Sequence, residues 1–172
     1  MESILMCFVS IALIIVSTVT MTMSTVNSAA KLSESWKSMQ QRTENIRRTE
    51  IVSMPPTNYS EGIIDIIIKN TGQTELSGFS HWDVIVESTG NGTNYLTYSA
   101  SYPPGNNQWA VEGIFISENV PETFDVGVLN PGEQVIIGIN PSGMITIGQT
   151  IKITVSTADG VTSQCFVTAQ SG

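Results

Sequence analysis

The chain has 172 residues and a formal net charge of −8, room for one ordinary domain and one extra element. All 14 Gly and all 7 Pro lie from Pro55 onward, so the composition divides there into residues 1–54 and residues 55–172. The first part carries five basic and four acidic residues, a net of +1, and the second two basic and eleven acidic, a net of −9. So acidic a head repels nucleic acid and stays soluble, which sets nucleic-acid binding aside.

From Ser3 to Ala30 there is no charged residue, no Gly and no Pro. Ile4–Val16 is apolar on every side of a helix, and such a helix must be buried in protein or in lipid. Strand-favouring Ile and Val are frequent in it, but its length decides for helix, predicted from about Ser3 to Arg48. At ~1.5 Å per residue, Ser3 to Ala30 spans about 40 Å, enough to cross a hydrocarbon core of roughly 30 Å.

The middle, Ser17 to Ser28, is rich in Ser and Thr. Small hydroxylated residues bond to carbonyls one turn back, permit close helix–helix approach and add interhelical hydrogen bonds, which favours a helix packed among helices. From Lys31 the helix turns amphipathic. Leu32, Trp36, Met39, Thr43 and Ile46 recur at spacings of three and four, marking one buried face. That face either rests on the chain's own head or forms a seam between neighbouring copies.

Two cysteines, Cys7 and Cys165, lie in different parts and read as buried free thiols rather than a disulfide framework. The start Met1-Glu2-Ser3 has no basic residue, unlike a secretory signal. Five Lys/Arg follow the apolar stretch before residue 50, which in a simple signal anchor would keep the head cytoplasmic. Yet the head carries the sequons Asn58-Tyr59-Ser60 and Asn91-Gly92-Thr93, so Asn58 and Asn91 are possible N-glycosylation sites on an extracellular head. The conflict disappears if Met1 is a mature terminus left by removal of a short basic leader that had set the orientation.

Pro55-Pro56 end the helix. Short β-rich runs follow at 63–69, 82–87, 94–98, 111–116, 123–128, 134–139, 150–156 and 161–168, many of them alternating. Turn residues separate them, among them Asn70-Thr-Gly72, Gly90-Asn-Gly92, Asn130-Pro-Gly132 and Asp159-Gly160, the last a hairpin signal. About eight strands at this spacing predict an antiparallel, immunoglobulin-like β-sandwich, so the fold class is α+β: a long N-terminal helix, residues 1–54, followed by a sandwich, 55–172.

Catalytic chemistry is missing. His81 is the only histidine, and a lone His without a partner cluster reads as structural or surface. No Cys/His set has zinc spacing, no acidic calcium loop appears, and there is no phosphate loop or nucleophile elbow. Trp82, Trp109 and Phe115 read as core or strand residues. The expectation is no enzyme, no cofactor and no metal.

An apolar helix running into an amphipathic one, then a sandwich, resembles archaellin-type filament proteins, the subunits of archaeal swimming filaments. In the head, Ile66–Gly72, Phe79–Ile85, Leu129–Glu133 and Ser156–Val161 are similar to segments of archaellins and their relatives. Type IV pilins usually carry Glu at the fifth mature position, where this chain has Leu5. Many archaellins begin with a Gly-containing apolar motif, which Met1–Leu5 lacks. The related archaellar tether protein, implied to bind the S-layer, shares the layout, and the segment around Trp82-Asp83 resembles it at least as much.

The resemblance implies a homopolymeric helical filament on the cell surface, held in the membrane before assembly. It also implies a prepilin-type peptidase and a motor or assembly platform as partners. Ile4, Leu5, Phe8, Val9, Ile11, Leu13, Ile14 and Val16 are the expected filament-core packing residues. The alternatives are a membrane-anchored accessory protein whose sandwich binds the S-layer, and a pilus-like adhesion filament.

Overall fold

The computed structural model describes residues 2–55, 58–60, 62–117, 120–143, 145 and 148–168. It comprises two compact units, Met1–Thr43 and Glu44–Gly172.

The first unit is helical. A single α-helix, α1, runs from Glu2 to Arg48 without a break, as the absence of Gly and Pro requires. Its end is marked by Arg47 and Arg48 in the last turn, where cations complement the helix dipole. Thr49 follows, buried, its backbone N–H and its hydroxyl both donating to the carbonyl of Asn45, at 3.0 and 2.8 Å.

The second unit is a β-sandwich. Its strands are β1 (Ile51–Ser53), β2 (Asn58–Ser60), β3 (Ile63–Asn70), β4 (Leu76–Ser77), β5 (Asp83–Ser88), β6 (Gly92–Tyr98), β7 (Gln108–Ser117), β8 (Val120–Pro121), β9 (Val128–Leu129), β10 (Gln134–Asn140), β11 (Thr150–Ser156) and β12 (Thr162–Thr168). They pair in the order β1-β3-β10-β7-β6-β5-β11-β12, with β2 added to β3, β8 added to β7, and β4–β9 a separate pair. All pairs are antiparallel except β6–β7, a two-residue parallel contact of Thr97 and Tyr98 with Gln108 and Trp109. That contact departs from the purely antiparallel expectation and joins the two layers at one side. At the other side the backbone N–H of Ser53 in β1 donates to the hydroxyl of Ser163 in β12 at 2.8 Å.

Period-2 alternation fixes the register. Ile64, Ile66 and Ile68 of β3 lie beside Ile139, Ile137 and Val135 of the paired β10, and with Val84 and Val86 of β5 and Ile151, Ile153 and Val155 of β11 they form one continuous core. Trp109, fully buried, packs edge-on against Tyr98 with ring centroids 5.0 Å apart. Between β11 and β12 the hairpin turns through Asp159-Gly160, as the dipeptide predicts, with Gly160 at φ 86°.

Two expectations need correction, the strand at 123–128 and the burial of Cys7. Thr123–Val128 is not a strand; only Val128 and Leu129 pair, with β4. Phe124 and Val126 are 92% and 81% exposed, so this run alternates without a layer to pack against, which periodicity alone does not reveal. Phe115 lies in β7, as expected of a strand residue, but is only half-buried, because a bulge in the β7–β10 pairing between Ile136 and Ile137 changes the phase of β7. Of the cysteines, both free, Cys165 is buried but Cys7 is exposed on α1.

Candidate functional site

The eight predicted packing residues, Ile4, Leu5, Phe8, Val9, Ile11, Leu13, Ile14 and Val16, are all between 50% and 70% exposed, and α1 buries no residue. They cover every side of the helix, as 3.6 residues per turn requires of eight apolar positions within thirteen residues. By length and composition α1 is long and apolar enough to cross a membrane. Exposed apolar surface of this extent marks a site of association with protein or lipid.

The Ser/Thr segment has a definite arrangement. Hydroxyls of Ser10, Ser17, Thr18 and Thr22 donate to the carbonyls of Met6, Leu13, Ile14 and Thr18, at 2.7 to 2.9 Å. Thr20 does the same to Val16, and Thr25 to Met21 at 3.0 Å. These protons are spent inside the helix, so the hydroxyls enter an apolar environment already satisfied. In the single chain each of these hydroxyls is exposed and bonded within its own helix.

A second construction lies where α1 ends, within the sandwich unit. The turn Thr71-Gly72-Gln73 donates three backbone bonds to the chain leaving the helix: Thr71 and Gly72 to the carbonyl of Glu50, both 3.0 Å, and Gln73 to that of Arg48, 2.8 Å. A Cβ on Gly72 would lie 2.4 Å from the Glu50 nitrogen and 2.6 Å from the Arg48 oxygen, so only glycine permits this approach. Asn70 is fully buried beneath it. Its side-chain N–H groups donate to the carbonyls of Thr74 and Leu129, 2.8 and 3.0 Å, and its oxygen accepts from Gly72 N–H, 3.1 Å. Its backbone pairs with Glu133 and Gly132. The buried Glu133 carboxylate in turn accepts from the Asn130 backbone at 2.8 Å. Two motifs sixty residues apart in sequence, Asn70-Thr-Gly72 and Leu129-Asn-Pro-Gly-Glu133, thus form one joint at the helix exit.

The other flagged segments are distributed over the sandwich. Trp82 is buried against Phe79, ring centroids 5.0 Å apart and tilted 58°, which makes Phe79–Trp82 a core-anchored turn. His81 is exposed there, its Nδ1 3.4 Å from the Ser80 hydroxyl. Asp83 accepts a hydrogen bond from Tyr95, which pushes the Tyr95 phenol upward. Asn91 sits exposed in the β5–β6 turn, whereas the side chain of Asn58 lies outside the described residues.

One interaction had no sequence signal. The Tyr102 hydroxyl donates to Asp65 at 3.0 Å, and its ring lies over Gly138, where a Cβ would approach Tyr102 Cε2 to 2.6 Å. Burial first, then the bond to Asp65, pushes the Tyr102 phenol up to about 12. Burial and the Asp65 charge also raise the neighbouring Glu112 carboxyl. Among the described residues, no three His, Cys, Asp or Glu side chains are grouped to hold a metal.

No protein-family model and no curated protein matches this sequence. Solved structures do. The archaeal flagellum of Methanospirillum hungatei strain JF1 matches with a TM-score of 0.54 and 18% identity, over 95% of this chain and 92% of that one. The archaellum periplasmic stator protein FlaG from Sulfolobus acidocaldarius matches with a TM-score of 0.52 and 22% identity, over 69% of this chain and 99% of that one. The archaeal flagellin FlaB1 from Methanocaldococcus jannaschii gives 0.52 and 13%, over 72% and 92%. At these identities the likeness establishes a shared fold: the sandwich in all three, and the helix-plus-sandwich plan in the filament.

Proposed function

We infer that this protein is a structural subunit of an archaellum-type filament, polymerising through α1 with the sandwich on the outer surface. The observation that carries the reading is the uncovered apolar helix, supported by a likeness to the M. hungatei flagellum. That likeness spans 95% of the chain and so must include most of α1. The membrane holds Ile4–Val16 before assembly, and the helices then exchange lipid for one another in a central bundle. About ten large apolar side chains at roughly 1.5–3 kcal/mol each place the cost of exposure to water on the order of 15–30 kcal/mol, so free monomer in water is negligible. The net gain over lipid is far smaller and comes from close packing along Ser17–Ser28. Heterologous contacts that do not close make an open fibre.

A prepilin-type peptidase and a motor platform act before and during assembly. Asn91, exposed on its turn, is a candidate glycan acceptor, which mass spectrometry of the tryptic peptide checks. The test of the reading is electron microscopy of a sheared extracellular fraction: this chain as the main component of filaments supports it, and its absence there contradicts it.

A second reading, a membrane-anchored accessory or stator whose sandwich binds the cell-surface layer, is favoured by the likeness to FlaG. That match has 22% identity and covers 99% of the FlaG chain. On this reading the protein stays with membranes, and Asp83→Ala weakens retention of the head on isolated surface layers while leaving membrane insertion intact.

A further inference from the structure

Residues 31–48 of α1 carry five basic and two acidic residues, a net of +3, whereas residues 49–172 carry two basic and twelve acidic, a net of −10. The placement of the helix charges is not uniform. At ~100° per residue, Leu32, Trp36, Met39, Thr43 and Ile46 fall within about 40° of one line along the helix. Arg47 flanks that line on one side at about 60° and Arg42 on the other at about 80°, with Lys31 about 100° away beyond Arg42. Both acids, Glu34 and Glu44, lie about 120° or more away, on the back, together with Lys37 and Arg48. Leu32, Trp36 and Met39 are between 61% and 66% exposed. The result is an apolar stripe whose nearest charged neighbours, Arg47 and Arg42, are both cations.

Such a stripe suits an acidic surface, and two are at hand: anionic lipid and the heads. Lipid fits poorly. The charge-free stretch ends at Ala30, and α1 continues unbroken to Arg48. A helix that crosses a bilayer and continues unbroken leaves it along its own axis, so the segment around Trp36 projects from the membrane instead of lying on it. The heads fit well. Only Lys69 and Lys152 offset their acids, and Lys152 is already paired with Glu87. Exposed carboxylates such as Glu75 and Asp125 remain available.

We propose that the cation-rimmed stripe of residues 31–48 is an interface for the acidic sandwich of a second copy of this chain. The inference rests on the filament reading for the crowding of copies, but its test does not depend on filaments. Its consequence is division of labour within α1. Residues 4–30 pack by shape against other helices, insensitive to salt. Residues 31–48 join helix to neighbouring head, with a strength that salt reduces.

The experiment uses the full chain with p-benzoylphenylalanine in place of Trp36, illuminated in both the sheared extracellular fraction and the membrane fraction. The expected result is a covalent dimer in whichever fraction holds the protein, with the adduct mapped by mass spectrometry to residues 49–172 of the partner. Its yield should fall about fivefold in Arg42→Gln/Arg47→Gln and comparably in 1 M NaCl, where the Debye length is ~3 Å. A dimer whose adduct maps to residues 2–48, a monomer carrying lipid mass, a cross-link within one chain, or no adduct overturns the proposal. Absence of filaments with a helix-to-head dimer in membranes would sink the filament reading and leave this one standing.

Discussion

Replacing Ile14 by Asp separates the two units of the molecule. Ile14 is 63% exposed in the single chain and outside the sandwich core, so the stability of the head should change by less than about 0.5 kcal/mol. In a bundle of helices the same position is enclosed. There the substitution forfeits roughly 1.5–3 kcal/mol of apolar burial and leaves an uncompensated carboxylate that costs about 3 kcal/mol or more. A total near 5 kcal/mol per copy corresponds to between three and four decades in the concentration needed for assembly, ~1.4 kcal/mol per decade. Insertion into lipid costs only about 2.5–3.5 kcal/mol at the helix centre, so the variant should accumulate in membranes. The assay is electron microscopy of sheared material beside an immunoblot of the membrane fraction, with near-ultraviolet circular dichroism to check the head. Ile14→Leu, a volume-conserving control, should assemble normally. Filaments of ordinary length and number from Ile14→Asp would refute the enclosed-helix reasoning.

Three further substitutions address the sandwich. Asn70→Ala removes three side-chain hydrogen bonds under the helix exit; at ~1 kcal/mol each, it should destabilise the head by about 3 kcal/mol in denaturant unfolding of the full chain in detergent. An unchanged midpoint would show the joint to be dispensable. Gly72→Ala drives a Cβ into backbone that cannot yield, so it should cost at least as much as Asn70→Ala, and a loss below about 1 kcal/mol would contradict the close approach. Tyr102→Phe concerns alkaline pH. The folded phenol sits at about 12 against an ordinary 10; the folded state holds the proton more tightly, so its stabilising contribution is complete below pH 10 and is lost as pH rises to about 12. The variant should flatten the stability decline in that window, and a decline identical to wild type would remove Tyr102 from the account.

Much of this architecture was legible because its signals are local. A long uncharged run without Gly or Pro reads by its length as an apolar helix, and Ile64/Ile66/Ile68 against Asp65/Lys69 reads as a strand with one face in a core. The turn dipeptides gave the hairpins for the same reason. Contacts made at a distance escaped. Asn70-Thr-Gly72 reads as any surface turn until β10 and the end of α1 are brought beside it, when its glycine becomes obligatory. Tyr102 and Asp65, thirty-seven residues apart, announce nothing singly. Thr123–Val128 misled in the opposite direction, since alternation is necessary for a half-buried strand but does not supply a neighbour. The apolar helix was visible as something needing cover, and periodicity cannot name the cover.

The most direct measurement is therefore a cryo-EM reconstruction of the sheared extracellular material, resolved well enough to trace side chains along its axis. The account predicts a central bundle built from residues 4–30 of many copies, with Ile14 enclosed by neighbouring helices and the sandwiches outermost. Fibres without this chain, with the protein recovered only from membranes as isolated helices in lipid and sandwiches bound to a surface layer, would contradict it.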